Sequence, residues 1–175
     1  MNLSTEAAWS DRVRDSYQRL RGPLWRSLVA WSGSTDVADE AVAEAFAQLL
    51  RRGDVVQDLD AWVWRSAFLI AGGDLERRRR RAAIADGDRA LAALPGAVDR
   101  LPDDAVDLVR ALDQLSDQQR RCVALVDVAG HTAPSAASVI GTSAATVRVQ
   151  LMRARRRLRV LLADPSAATD PEATP

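Results

Sequence analysis

The chain has 175 residues, of which 47% are hydrophobic, so it can bury the core of one ordinary domain or two small ones and is not a wholly disordered protein. Acidic and basic residues balance at 24 each, and the formal net charge is zero. The amino terminus lacks a signal-peptide pattern, and no run approaches the roughly 18 apolar residues of a membrane span. We therefore expect a cytoplasmic protein without membrane insertion.

Helix-forming residues dominate the composition, and runs with the two-residue alternation of a strand are missing. The fold class predicted from this pattern is all-α. In the first half we expect helices over residues 9–21, 24–32, 37–52 and 61–80, after a loose start over residues 1–8. Gly22 and Pro23 are predicted to separate the first two helices, and the pair Gly72-Gly73 is predicted to bend or break the fourth.

Residues 83–103 contain two glycines and two prolines and are predicted to be a flexible linker between two small helical domains. The first domain would span residues 9–82 and the second residues 104–163. Helices in the second domain are expected over residues 104–115, 117–129, 133–140 and 144–162, the second of them behind Ser116 as its N-cap. The tail, residues 164–175, is rich in proline, alanine and threonine and is predicted to be disordered.

Charge is segregated along the chain although it sums to zero. Residues 36–60 hold seven acids and two arginines, whereas residues 148–159 hold six arginines and no acid. Another basic run of five arginines, residues 77–81, ends the fourth predicted helix. Blocks of opposite sign indicate two kinds of partner, one basic and one acidic.

The strongest motif is a short helix, a turn containing Gly141, and a longer helix, which is the pattern of a DNA-binding helix-turn-helix. Glycine permits the left-handed backbone that ends the first helix, and Ser143 can cap the next one. The second helix then presents arginines, whose planar guanidinium can contact guanine edges and phosphates. A solvated basic face on an ordinary helical hairpin is the simpler alternative.

Residues 111–162 resemble region four of the sigma-70 family, the part that binds promoters. The resemblance lies in an opening Ala111-Leu112 with Leu115 and Arg120, then Gly130, and a closing pattern with these residues: Thr146, Val147, Arg148, Arg153, Ala154, Arg155 and Leu158. The resemblance implies that the −35 element is bound by Ser143, Thr146, Arg148, Val149, Met152, Arg153, Arg155 and Arg156. Arg155 and its neighbours would add phosphate contacts or packing.

The N-terminal half is similar to region two of the same family. The resemblance implies that an acidic helix binds the β′ clamp of RNA polymerase through Asp36, Asp39, Glu40 and Glu44. It also implies that the −10 element is bound by Trp62, Trp64, Arg65, Leu69, Arg77 and Arg78. With regions two and four joined directly, the chain resembles the extracytoplasmic-function (ECF) subgroup of sigma factors. The partners implied are core polymerase (the β′ clamp and the β flap), promoter DNA and an anti-sigma factor.

The remaining aromatic and titratable residues are predicted to be structural. Trp9, Trp25 and Trp31 are expected to pack in the core or between helices. Two residues apart, Trp62 and Trp64 cannot share one face of a helix, so one is expected in the core and the other on an unpaired base. A core thiol is predicted at Cys122 and a structural histidine at His131. Catalytic, phosphate-loop and metal-ligand motifs are missing, so we expect neither an enzyme nor a bound cofactor.

Two other functions fit parts of this pattern. A stand-alone helix-turn-helix regulator would bind duplex DNA without polymerase. A degenerate sigma-like protein would bind partners without initiating transcription. The second alternative is motivated by departures from the family pattern at Phe68-Leu69 and at Gly72-Gly73, in the helix expected to read the −10 element.

Overall fold

The computed structural model describes residues 3–85 and 101–163, and within them every regular element is helical, which confirms the all-α prediction. The helices are α1 (Leu3–Ser32), α2 (Thr35–Arg52), α3 (Leu59–Ala85), α4 (Asp103–Asp113), α5 (Asp117–Val123), α6 (Ala133–Ile140) and α7 (Ala144–Ala163). A 3₁₀ turn over Gly53–Val55 follows α2, and a π-helical segment over Ala124–Val128 extends α5. The predicted tail, residues 164–175, and residues 86–100 of the predicted linker lie outside the described residues.

In the N-terminal half, residues 3–85, α1, α2 and α3 pack against one another around an aliphatic core. Leu24, Leu28, Leu49 and Val63 have no exposed side-chain surface. Ser34 begins α2 because its side chain accepts a hydrogen bond from the amide of Val37. Burial of these apolar faces is the main stabilising contribution to the three-helix arrangement.

The predicted break at Gly22-Pro23 is wrong, because α1 continues through both residues, and it begins at Leu3 rather than Trp9. Proline removes one backbone hydrogen bond from a helix interior and costs about 3 kcal/mol. Here Leu24 and Leu28, immediately after it, are completely buried against α2 and α3. Tertiary burial of this apolar face outweighs the local cost.

The predicted bend at Gly72-Gly73 is also wrong, because α3 runs without interruption to Ala85 and so includes the first three residues assigned to the linker. A Cβ atom added to Gly72 would lie 3.4 Å from Cη2 of Trp31 and 3.7 Å from Nη2 of Arg121. Glycine at this position therefore lets α1 and α5 approach α3 closely. Its role is close packing rather than a bend.

The C-terminal half, residues 101–163, consists of α4 to α7. Ser116 forms a capping box with Gln119 at the start of α5, as its predicted role as an N-cap requires. The helix predicted over residues 117–129 is α5 together with the π-helical segment, which ends at Val128. Cys122 is fully buried, and burial raises the pKa of its thiol, in agreement with the prediction of a core cysteine.

The two halves pack against each other through α1 and α3 on one side and α4 to α6 on the other. At the centre of this contact lies Trp31, which is 1% exposed. Its Nε1 donates to Asp117 at 2.9 Å, and the guanidinium of Arg121 lies 4.4 Å from its ring centroid. The ring of Phe68 stacks on the Trp31 ring with the two centroids 5.1 Å apart. One tryptophan thus joins the cores of both halves.

Candidate nucleic-acid interface

The helix-turn-helix predicted from the sequence is formed by α6, the turn at residues 141–143, and α7. Gly141 has φ 78° and ψ 43°, the left-handed conformation that the turn requires. Ser143 accepts a hydrogen bond from the amide of Thr146 at 3.0 Å, and the two hydroxyls lie 2.9 Å apart. Ser143 therefore caps the start of α7, with the Thr146 hydroxyl beside it, which is compatible with a position beside a DNA backbone.

One face of α7 anchors it to the rest of the C-terminal half, because Val147, Leu151 and Ala154 are buried against α5 and α6. The opposite face is exposed, and within the described residues its arginine side chains have no hydrogen-bond or ion-pair partner. The predicted −35 residues on this face are Arg148, Val149, Met152, Arg153 and Arg156. The structure thus gathers them on one basic surface, as a helix entering a major groove requires.

Arg155 differs from the other arginines of α7. Its Nη2 and Nε donate to the carboxylate of Asp127 at 2.5 and 3.2 Å, which ties α7 to the π-helical segment. This hydrogen bond and the charge of Asp127 raise the pKa of Arg155. Arg155 is therefore paired within the protein, and the phosphate contact expected for it stays a prediction.

The predicted −10 residues on α3 fall on different faces. Trp62 is half-buried, with the guanidinium of Arg52 5.7 Å from its ring centroid, and Leu69 is 69% exposed. Trp62 and Leu69 are seven residues apart and share one accessible face of the helix. This surface is one part of α3 that is open to a ligand.

Trp64 and Arg65 are covered by the C-terminal half, so Trp64 is closed to DNA in this arrangement and its contact with the −10 element stays a prediction. Trp64 is 5% exposed, with its ring edge-on to His131 at 4.4 Å, and Arg65 donates to Ser138 of α6 at 3.0 Å. Trp64 also lies beside Phe68 in the core. Of the two tryptophans on α3, Trp64 is therefore the core residue.

The basic end of α3 is partly neutralised within the helix. Arg77 and Arg78 both contact the carboxylate of Asp74, at 3.3 and 2.6 Å. Within the described residues, the exposed side chains of Arg79 and Arg81 have no such partner. Arg77 and Arg78 were the two predicted from this run, whereas the arginines without a carboxylate partner among the described residues are Arg79 and Arg81, since Arg80 pairs with Glu76.

The acidic residues of α2 lie on its outer surface, as predicted for a docking face. Asp36, Asp39 and Glu40 are exposed, and Glu44 is half-exposed. Asp39 accepts a hydrogen bond from Nε1 of Trp25 at 2.8 Å, so one acid is oriented by α1. Hydrogen bonds from Gln48 and Arg51 lower the pKa of Glu44 and hold it against its own helix.

A cleft of about 310 Å³ lies where the two halves meet. Its lining includes Asp58, Asp60, Trp64, His131 and Ser138. The pKa of Asp60 is raised by burial, but hydrogen bonds from Arg19 and Ser16 outweigh that effect and leave the pKa below its ordinary value. The sequence offered no signal for this cleft or for the Trp31–Asp117 hydrogen bond, apart from the unusual glycine pair that permits close helix approach.

His131 predicts a pH dependence of stability because burial lowers its pKa below the ordinary value. As the pH falls below about 6.5, the unfolded chain binds a proton at His131 and the folded chain resists it. The contribution of neutral His131 is therefore complete above that pH and is lost below it. The free energy of unfolding, measured by urea titration, should fall more between pH 7.5 and 5.5 in the wild type than in His131→Phe.

The substitution to phenylalanine keeps an aromatic edge against Trp64 and removes the only histidine of the chain. All carboxylates are retained, so their contribution to the pH dependence of the unfolding free energy is the same in both proteins. Asp58 and Asp60 line the same cleft and are present in both proteins. Parallel declines in the two proteins would contradict the assignment.

Among the described residues, no group of three or more histidine, cysteine, aspartate or glutamate side chains is arranged to hold a metal ion. In the same part of the chain, none of the helices is both long and apolar enough to span a membrane.

Comparison with known proteins agrees with the geometry of the helix-turn-helix. Residues 105–158 match the family model for sigma-70, region 4. The chain is 30% identical over 158 residues to the ECF RNA polymerase sigma factor EcfG of Rhodopseudomonas palustris (strain TIE-1), covering 87% of this chain and 86% of that protein. It is also 25% identical over 170 residues to the ECF RNA polymerase sigma factor BldN of Streptomyces coelicolor, covering 91% of this chain and 63% of that protein.

Solved structures show that the whole fold, and not only the C-terminal half, has known counterparts. The sigma factor RpoE in complex with the anti-sigma factor NepR from Bartonella quintana is similar with a TM-score of 0.72 and 22% identity, over 86% of this chain and 96% of that one. CnrH in complex with the cytosolic domain of CnrY is similar with a TM-score of 0.67 and 21% identity, over 91% and 93%. The match to EcfG along most of both chains, together with the region 4 match, shows that this chain belongs to the ECF subgroup of the sigma-70 family of RNA polymerase sigma factors.

Proposed function

We propose that this chain directs core RNA polymerase to specific promoters, reading the −35 duplex with α7 and capturing the −10 strand with α3. The observation that carries the proposal is the exposed basic face of α7, where Arg148, Arg153 and Arg156 have no partner within the described residues. Guanidinium groups on a helix of this kind donate to guanine edges and phosphates. The mechanism is binding and strand capture, without covalent chemistry and without a cofactor.

Two domains would divide this work, residues 9–82 on the polymerase and the −10 element and residues 104–163 on the −35 element. A linker between α3 and α4, within residues 86–102, would let them occupy separate sites, with residues 164–175 as a tail. Trp64 and Arg65 are covered by the C-terminal half, whereas the outer face of α7 is open. The packed arrangement thus leaves the predicted −35 surface open, and we expect the halves to separate so that α3 can present all of its predicted −10 residues.

At the −10 element, the face of α3 that bears Trp62 and Leu69 would contact unpaired bases, because exposed aromatic and apolar side chains stack on them. The short connection before α3, residues 56–58, would lie beside it. Arg79 and Arg81 are better placed for phosphates than Arg77 and Arg78, which share Asp74. Arg65 would join them once it is released from Ser138.

For protein partners, the acidic outer face of α2 would bind a basic surface of the polymerase β′ clamp, with Asp36, Asp39, Glu40 and Glu44 as its charges. The C-terminal half would contact the β flap. Because the sigma factor RpoE, which has a similar fold, was solved in complex with an anti-sigma factor, we include an anti-sigma factor among the partners. All of these partners imply action in the cytoplasm.

Run-off transcription with reconstituted core polymerase tests the proposal. Specific transcripts from promoters selected by the holoenzyme are expected. Tight duplex binding by the chain alone, without polymerase association, would favour a stand-alone regulator. Association without any transcript would favour a degenerate sigma-like protein, for which the buried position of Trp64 is the supporting observation.

Two arginines of α7 are expected to respond differently to replacement. If Arg148 contacts a base edge, Arg148→Ala should cost about 1–3 kcal/mol at one position of the −35 element and relax specificity there. Arg156→Ala, two turns further along, should weaken binding to every sequence alike because it contacts phosphate. Holoenzyme affinity for a set of single-base variants measures both effects. Identical profiles for the two substitutions would contradict the assignment.

A further inference from the structure

Two apolar side chains stand on the basic face of α7. Val149 is 42% exposed and Met152 is 65% exposed, and residues three apart are neighbours on one helix face. The side chains on either side of them, Arg148 and Arg153, are exposed and have no partner within the described residues. The pair is therefore an apolar patch bounded by two cationic groups.

The patch is not the main packing surface of α7. Packing of α7 is supplied by Val147, which is completely buried, and by Leu151, which is 5% exposed. The two exposed side chains leave apolar surface in contact with water. Covering that surface with a ligand would stabilise the complex, so the patch is suited to binding one.

The charge around the patch selects the ligand. Residues 148–159 hold six arginines and no acid, which favours a polyanion over an apolar or basic protein surface. In the major groove of duplex DNA, neither valine nor methionine can hydrogen-bond to a base edge as arginine does. The apolar group that the groove does offer to such side chains is the 5-methyl group of thymine.

We propose that Val149 and Met152 read thymine methyl groups in the −35 duplex, between the base positions contacted by Arg148 and Arg153. The inference rests on the proposed function and adds to it the chemistry of the sequence read. The preferred element would therefore contain at least one A·T pair, with its methyl group facing α7, next to G·C pairs read by the arginines.

The test uses the holoenzyme, formed from the full chain and core polymerase, and a duplex selected by it from a random library. Each thymine of the −35 element, on either strand, is replaced in turn by deoxyuridine, which lacks the 5-methyl group and keeps the same hydrogen-bonding groups. We expect a loss of affinity of about 3- to 5-fold at the thymine that is read, the effect of one buried methyl group. The other thymines should be unaffected.

Variants of the chain assign the effect to the patch. In Val149→Ala or Met152→Ala, the unmodified duplex should bind more weakly and the deoxyuridine effect should disappear at the position read by that residue. Val160→Ala is the matched control, because Val160 is 56% exposed on the same helix, about 12 Å from Met152 along the helix axis. It should retain the full wild-type response to deoxyuridine.

Selection of a specific duplex with no response to deoxyuridine at any position would overturn the inference and leave the proposed function intact. A response that persists unchanged in both patch variants would also overturn it. Weaker polymerase association by the variants, with an unchanged deoxyuridine response, would assign the patch to a protein contact instead. Failure of the holoenzyme to select any duplex would refute the proposed function, and the inference with it.

Discussion

Replacing Trp31 with alanine is expected to lower the free energy of unfolding by about 3–5 kcal/mol, the range for removing a large buried aromatic side chain. Trp31 is 1% exposed and stacks on Phe68 with an interplanar angle of 5°. On the C-terminal side it contacts Arg121 and donates to Asp117. The substitution removes contacts within the N-terminal half and across the contact between the halves. Urea unfolding followed by far-ultraviolet circular dichroism measures the change.

Trp31→Phe separates the two contributions. Phenylalanine retains an aromatic ring beside Phe68 and Arg121 but cannot donate to Asp117, so it should cost less than alanine does. Trp25→Ala is a second comparison, because Trp25 is only half-buried. A loss below about 1 kcal/mol for Trp31→Ala would be outside the range for such a site and would contradict the central position assigned to it.

Reversing the charge of Glu40 is expected to weaken the association with core polymerase by at least about 10-fold, because like charges placed across an interface cost several kcal/mol. Glu40 lies on the exposed acidic face of α2, and within the described residues its carboxylate has no partner. Glu40→Arg should therefore leave the fold stable. Titration of labelled polymerase at low and at high salt measures the effect, which should shrink as salt screens the charges.

Asp107→Arg is the matched control, since Asp107 is an exposed acid on α4, with its side chain 75% exposed, outside the acidic face of α2. It changes the net charge of the chain by the same amount as Glu40→Arg. An equal loss of polymerase affinity in both variants would assign the effect to net charge rather than to the face of α2. Transcription by the control should match that of the wild type.

Features governed by neighbouring residues were predicted well from the sequence. The cap at Ser116, the cap at Ser143 and the left-handed turn at Gly141 depend on side chains and backbone within a few positions of one another. The exposed face of α7 follows from helical periodicity in the same way. The helix-turn-helix was therefore placed almost to the residue.

The helix breaks expected at Gly22-Pro23 and Gly72-Gly73 were wrong because local propensity was opposed by distant packing. At the first pair, α1 continues because Leu24 and Leu28 are buried against other helices. In the second pair, Gly72 allows Trp31 and Arg121 to approach α3. The helix-propensity cost of about 1 kcal/mol per glycine is smaller than the free energy gained by burying a leucine or a tryptophan side chain.

By itself, the sequence determined the all-helical class, the helix-turn-helix and the positions of its basic and acidic faces, since each depends on composition, periodicity and short-range capping. Only the tertiary structure decided that Trp64 lies in the core while Trp62 stays accessible, and that Arg155 binds Asp127. It also decided that Trp31 joins the two halves. These outcomes depend on which residues far apart in the chain meet in space, and no local pattern encodes that choice.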